Sequence, residues 1–401
     1  MPLHRPLLSS LSLLFMLCAC GDDGGAGATT SSTGGSTGTG GSTGPGGAET
    51  SAPTTSGGPT TGSAETGALT TSGGPSSGDL TTGTSEATTG ATTEATTEAT
   101  TEATTGETTT GGGVTVYDPN LDGPWQIEHI AGEHDVDGVD IAMDAYYPVD
   151  GPEAGPYPVV VIAHGFQLPA SQYTGYAQRL ASHGYVALTA DFQAGLFNPD
   201  HVAYAAQVLG GIDWVAQEAT LGALSDTNNV GLTGHSLGGK LAVLGASLDT
   251  RVRASITLDP VDGAMNCDPQ KCPDVTGLLP LDVPLGFVGE TLDSAGFMAC
   301  APAADNFLSF YAAASAPALA VTVLGANHMS FLDDTDSCGF PCSFCKQPTL
   351  DNAAVNSLAR AYVVAFYGRH LRDIVDYEVY LTGAQAQARY VETGIAEIAS
   401  K

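Results

Sequence analysis

The chain has 401 residues, 42% of them hydrophobic, and carries 43 Asp and Glu against 12 Lys and Arg for a formal net charge of −31. So acidic a chain excludes nucleic acid as a partner and disfavours polyanionic substrates, because both need Lys and Arg in excess at the contact. Neutral, zwitterionic or apolar small molecules remain.

Residues 1–20 combine a basic start, His4 and Arg5, with an apolar stretch over 7–17 that is too short to span a bilayer, which is the pattern of an export signal. The block Leu17-Cys18-Ala19-Cys20-Gly21 resembles a bacterial lipobox. That resemblance implies cleavage before Cys20 and lipidation of its sulfur, giving a membrane anchor rather than a span. Gly21, where aspartate favours inner-membrane retention, implies an outer-membrane or cell-surface address. Residues 21–113 are nearly all Gly, Ser, Thr, Ala, Pro and Glu, and include three Glu-Ala-Thr-Thr repeats from Glu94 to Thr105. Such a composition cannot bury a core and reads as a disordered linker, with a random-coil reach on the order of 50 Å.

Residues 114–401 suit a single α/β domain, monomeric and with a substantial core. The periodicity predicts an amino-terminal hairpin (126–131 and 139–147), strand 157–163, helix 172–183, strand 185–190, helix 200–218, strand 229–233, helix 237–248, strands 254–258 and 284–289, helix 303–313, strand 317–324 and helix 351–370. Alternation of this kind implies a mostly parallel sheet wrapped by helices. No G-x-G-x-x-G follows a strand and no P-loop lysine motif occurs, so no cofactor is expected.

The chemistry falls at strand ends. After strand 157–163 comes His164-Gly165-Phe166, where the Phe166 amide is placed to hold an oxyanion and His164 to shape the loop. After strand 229–233 comes Gly234-His235-Ser236-Leu237-Gly238, a nucleophile elbow. Its glycines allow a sharp turn that exposes Ser236, and the Leu237 amide at the following helix N-terminus supplies a second oxyanion donor. Strand 254–258 ends in Asp259-Pro260-Val261-Asp262-Gly263 and strand 284–289 in Glu290, so Asp259, Asp262 and Glu290 are all candidates for the acid that orients a base. Of nine histidines, His328 follows the elbow, sits after the late strand 317–324 and precedes the last helix, the position for the base.

Phe192, Leu196, Phe197 and Phe331 are candidates for an apolar acyl or alkyl pocket, with segments 191–201 and 263–281 at its rim. Beyond Cys18 and Cys20, six cysteines remain: Cys267, Cys272, Cys300, Cys338, Cys342 and Cys345. An even count in an exported chain reads as disulfides, about 15 pairings being open to six cysteines. Cys342-x-x-Cys345 has zinc-like spacing, but an oxidising compartment favours bridging and no metal is expected. The stretch Cys338 to Cys345 begins ten residues after His328, and a bridge within it would brace the loop that presents that histidine. Asp333, Asp334 and Asp336 read as a solvated turn rather than a Ca²⁺ loop.

Three blocks, Asp259-Pro-Val-Asp262-Gly263, Gly234-His-Ser236-x-Gly-Gly-Lys240 and His328-Met-x-x-Leu332-Asp333-Asp334, resemble the signatures of the chlorophyllase-like branch of α/β-hydrolases across roughly the last 280 residues. The resemblance implies the α/β-hydrolase fold and makes Asp259 the triad acid in preference to Glu290. Departures exist, since Leu237 stands where arginine is common and the serine-to-acid segment is short, which also suits bacterial relatives of platelet-activating-factor acetylhydrolase and dienelactone-hydrolase-like esterases. The expected activity is serine carboxylic-ester hydrolysis through Ser236, His328 and Asp259. Phytyl esters, phospholipids and polyesters are alternative substrates, and a non-catalytic surface binding protein on the same scaffold is the alternative of another class.

Overall fold

Strand β3, Tyr157–Ala163, is buried at all seven positions, as a β-branched run flanked by strands on both sides must be. It lies inside a nine-stranded sheet formed with β1 (Gln126–Val136), β2 (Val139–Asp150), β4 (Val186–Asp191), β5 (Ser225–His235), β6 (Val252–Leu258), β7 (Leu285–Glu290), β8 (Ala318–Val323) and β9 (Ala396–Ser400). The computed structural model describes residues 107–108 and 115–401, apart from 196, 264–266, 280 and 297–298. The export signal, Cys20 and nearly all of the linker lie outside the described residues. Within the stretch read as linker, Glu107–Thr108 pairs antiparallel with Val116–Tyr117.

The strand order is β9-β8-β7-β6-β5-β3-β4-β2-β1. Pairs from β4 through β8 are parallel, whereas β1, β2 and β9 join antiparallel. The chain leaves β3 outward to β4 and then returns past β3 to lay down β5. That reversal opens a crevice at the carboxyl ends of the strands, where ligands of open α/β sheets bind.

Two cores cover the two faces of the sheet, and the two-residue period of a strand distributes side chains between them. Val160 and Ile162 of β3 pack with helices α1 (Thr174–Ser182) and α6 (Asn352–His370). Val159, Val161 and Ala163 pack instead with α2 (His201–Gln217), α3 (Ala219–Leu224), α4 (Leu237–Leu248) and α5 (Phe307–Ala313).

The predicted elements agree with this architecture, and the differences have local causes. Helix 172–183 divides into a 3-10 turn at Ala170–Tyr173 and α1. Helix 303–313 begins only at Phe307, because the Asn306 side chain caps it by accepting the Leu308 amide, at 3.1 Å. Strand β9 was not expected; it comes from the last residues of the chain and covers the edge of β8, so its pairing is set by a neighbour and not by its own pattern.

Candidate active site

Ser236 occupies the point where β5 turns into α4, with φ 57° and ψ −121°. A non-glycine residue in that region is strained and persists only where its surroundings force it. The surroundings are backbone on both sides. A Cβ on Gly234 would lie 2.2 Å from the Gly238 carbonyl oxygen, and one on Gly238 would lie 2.2 Å from that of Ala163. The elbow therefore excludes side chains at both glycines, and Ser236 stands at the carboxyl end of the sheet.

His328 arrives from the loop after β8. Its Nε2 lies 2.9 Å from Ser236 Oγ and its Nδ1 lies 2.6 Å from Asp259 Oδ2. Asp259 is fully buried, and its backbone is turned by φ 42° immediately after β6, the strand adjacent to β5. The other two candidate acids are elsewhere. Glu290 ends β7, one strand further from the serine, and its Oε2 accepts the amides of Leu292 and Asp293, closing the turn after its own strand. Asp262 forms an ion pair with Lys240, Oδ1 to Nζ at 2.7 Å with both side chains buried, and its Oδ2 accepts the Val275 amide at 2.9 Å.

Burial raises the Asp259 carboxyl above its ordinary range, and the hydrogen bond from His328 opposes that rise. Burial and then the charge of Asp259 push Glu290 up to about 8. Two carboxyls set on neighbouring strand ends resist double ionisation, which is why the Asp259 charge adds to the rise at Glu290. Burial pushes Asp262 up to about 6 against the opposing pull of Lys240.

The amides of Phe166 and Leu237 donate no hydrogen bond to another group among the described residues, leaving both free for an oxyanion. His164 is buried beside them, its Nδ1 2.8 Å from the Gly165 carbonyl and its Nε2 3.1 Å from that of Phe192. Its ring stacks on Phe192 with centroids 4.0 Å apart. The proposed apolar pocket is not assembled as expected. Phe192 and Phe331 are core residues, Phe197 is 85% exposed and Leu196 lies outside the described residues. Phe192 and Phe331 turn inward because each packs on a buried histidine, His164 and His235 respectively.

Several residues that hold the site together carried no recognisable pattern. Asp293 accepts the His328 amide on Oδ2 at 3.0 Å and the Lys346 amide on Oδ1 at 2.9 Å. Beside it the Cys300–Cys345 disulfide ties the turn after β7 to the segment after the base loop. The other bridges are Cys267–Cys272 and Cys338–Cys342, the latter within the stretch after His328 where a bridge was expected. The two rim segments are joined by the Val202 amide donating to the Lys271 carbonyl and by the Lys271–Asp200 ion pair. Asp333, read as part of a solvated turn, is instead a clamp: it accepts the Gly175 amide at 2.6 Å and pairs with Arg360 at 2.7 Å, fastening the base loop to α1 and α6. Asp334 does cap a turn, accepting the amides of Asp336 and Ser337.

A serine, a histidine and a carboxylate joined in line are the arrangement that acyl transfer requires. Comparison with known proteins agrees with that chemistry. The chain is 30% identical over 203 residues to chlorophyllase-2 of Arabidopsis thaliana, covering 45% of this chain and 63% of that protein. It is 31% identical over 234 residues to chlorophyllase-1 of the same plant, covering 53% and 72%. With the bis(hydroxyethyl) terephthalate hydrolase of Streptomyces coelicolor it shares 32% identity over 115 residues, 29% of this chain and 36% of the relative. These relatives bear the names of carboxylic-ester hydrolases. The family model described as Chlorophyllase matches residues 146–388, more than half of the chain and all of the site, and the protein belongs to the chlorophyllase family of α/β-hydrolases.

Proposed function

We propose that this protein is a serine carboxylic-ester hydrolase acting through an acyl-enzyme. The observation that carries the reading is the continuous contact from Ser236 Oγ through the His328 ring to Asp259. Ser236 Oγ bonds to the acyl carbon while its proton passes to His328 Nε2. The carbonyl electron pair moves to the oxygen, which receives the Phe166 and Leu237 amides. Collapse expels the alkoxide, which leaves with the proton from His328, and water deacylates Ser236 by the same route with His328 as base. Asp259 holds Nδ1–H throughout and stabilises the imidazolium.

The substrate class is a neutral or apolar ester, supported by the acidity of the chain, which repels polyanions. The names of its relatives frame the choice, with chlorophyllases on one side and a terephthalate hydrolase and cutinases on the other. Lipidation at Cys20 with residues 21–113 as spacer would hold the enzyme at a membrane surface, and intact-mass analysis of the mature amino terminus tests that part. The activity is tested by labelling the purified protein with a fluorophosphonate beside Ser236→Ala, followed by p-nitrophenyl esters of increasing chain length. An adduct on Ser236 with ester turnover supports the reading. A folded, disulfide-intact protein that neither labels nor turns over ester overturns it.

A further inference from the structure

His235, next to Ser236 inside the elbow, is fully buried, as is Tyr173. Acyl transfer makes no use of either side chain. Yet together they join the three segments that make the site. His235 Nε2 lies 2.8 Å from the carbonyl oxygen of His328, its Nδ1 lies 2.8 Å from Tyr173 Oη, and Tyr173 Oη accepts the Gly165 amide at 3.1 Å. Gly165 precedes the oxyanion donor Phe166, and His328 is the base.

One proton arrangement satisfies every atom in this chain. A carbonyl can only accept, so the His235 proton resides on Nε2 and is donated to His328. Nδ1 is then an acceptor, and the Tyr173 hydroxyl must donate to it. The tyrosine oxygen remains free to accept the Gly165 amide. Burial, with the nearby His328 second, holds His235 well below its ordinary range, so the ring stays neutral with a single N–H. Burial likewise keeps the Tyr173 proton in place. The His235 and His328 rings also pack at 4.7 Å between centroids. The glycine at 165 follows from this closeness, because a Cβ there would lie 3.0 Å from His235 Nδ1 and 2.7 Å from a Leu168 methyl.

We infer that Tyr173 and His235 are positioning residues that lock the oxyanion loop to the base loop, so that the Phe166 amide and His328 Nε2 keep one fixed relation to Ser236. The inference rests on the hydrolase reading above and concerns how its parts are aligned. A misaligned oxyanion donor weakens binding of the tetrahedral species and leaves ground-state substrate binding nearly unchanged, so its signature lies in kcat.

The test compares Tyr173→Phe, His235→Phe and His235→Gln with the unaltered protein, reading kcat and KM on a p-nitrophenyl ester, affinity for phenylboronic acid and Tm. Tyr173→Phe removes one oxygen atom; it is expected to lower kcat and boronate affinity on the order of tenfold, with KM changed less than about threefold. His235→Phe should lose more, and His235→Gln, whose side-chain amide can still donate to the His328 carbonyl, should recover part of that loss. Equal kcat and boronate affinity in Tyr173→Phe and the unaltered protein overturn the inference, as does His235→Gln no better than His235→Phe. Should the histidine variants not fold, Tyr173→Phe decides alone. An unaltered protein without ester turnover defeats the hydrolase reading itself, whereas turnover matched by Tyr173→Phe defeats only the alignment.

Discussion

Lys240 Nζ sits 2.7 Å from Asp262 Oδ1, and both side chains are withdrawn from water. The pair links the helix that follows Ser236 with the turn that carries Asp259. Removing one partner strands a buried charge, so Lys240→Met is expected to cost about 3–5 kcal/mol. Replacing both, as Lys240→Met with Asp262→Leu, should cost less than the sum of the single changes. Urea denaturation of the three variants measures the coupling; strictly additive losses would show that the two charges do not sense each other.

The acid is identified by comparing Asp259→Asn with Glu290→Gln. With Asp259 at 2.6 Å from His328 Nδ1, its amide variant presents a donor or a weaker acceptor to the ring and misplaces the proton. Ester turnover is expected to fall by about 10³- to 10⁴-fold for Asp259→Asn. Glu290→Gln keeps an oxygen for the Leu292 and Asp293 amides and should stay within about threefold of the unaltered protein. The reverse ranking would transfer the acid role to Glu290.

Glu290 also makes stability depend on pH. Its carboxyl is raised from an ordinary value of 4.5 to about 8 in the folded chain, first by burial and then by Asp259. The folded state thus holds a proton that the unfolded chain releases. This contribution is complete below about pH 4.5 and disappears as the pH climbs to about 8. Glu290→Gln cannot ionise, so its Tm minus that of the unaltered protein should grow across this window by on the order of 10 °C and level off above it. His183 and His370, both lowered to about 4 mainly by burial, titrate alike in the two proteins and cancel in the difference. A Tm difference independent of pH would mean that Glu290 is charged in the native state.

The Cys300–Cys345 bridge closes a sequence separation of 45 residues beside the Asp293 that receives the His328 amide. Loop-closure entropy sets its contribution at up to about 4 kcal/mol. Replacing both cysteines by alanine should lower Tm on the order of 10 °C and reduce kcat, whereas the Cys267–Cys272 pair, separated by five residues and set against the Pro199 carbonyl, should affect stability alone. Calorimetry with steady-state kinetics separates the two, and an unchanged kcat in the Cys300→Ala, Cys345→Ala protein would detach the bridge from the base loop.

Much of the fold is readable from local pattern. Strand 157–163 and helix 237–248 coincide with β3 and α4, because an unbroken β-branched run and a small-residue helix after a glycine turn are short-range signals. The contacts of Ser236 and His328 follow from their places at strand ends, which such signals mark. The aspartate clamp at Asp333 was hidden for the opposite reason: exposed acidic turns and buried acidic anchors have the same residues, and only Arg360, 27 positions away, separates them. Tyr173 and His235 were hidden likewise, since a buried tyrosine in a 3-10 turn looks like any other core aromatic.

Sequence by itself therefore determined the alternation of strands and helices, the elbow around Ser236 and the late-loop position of His328, all consequences of periodicity and turn chemistry within a dozen residues. The chlorophyllase-like blocks already pointed to Asp259 rather than Glu290, and the tertiary structure, which seats β6 between β5 and β7, places the Asp259 carboxylate against the histidine. The Cys300–Cys345 pairing and the Gly165–Tyr173–His235–His328 chain were decided by the tertiary structure alone. Each depends on distances across the sheet, and those are set by strand order and the packing of two cores, to which no stretch of sequence has access alone.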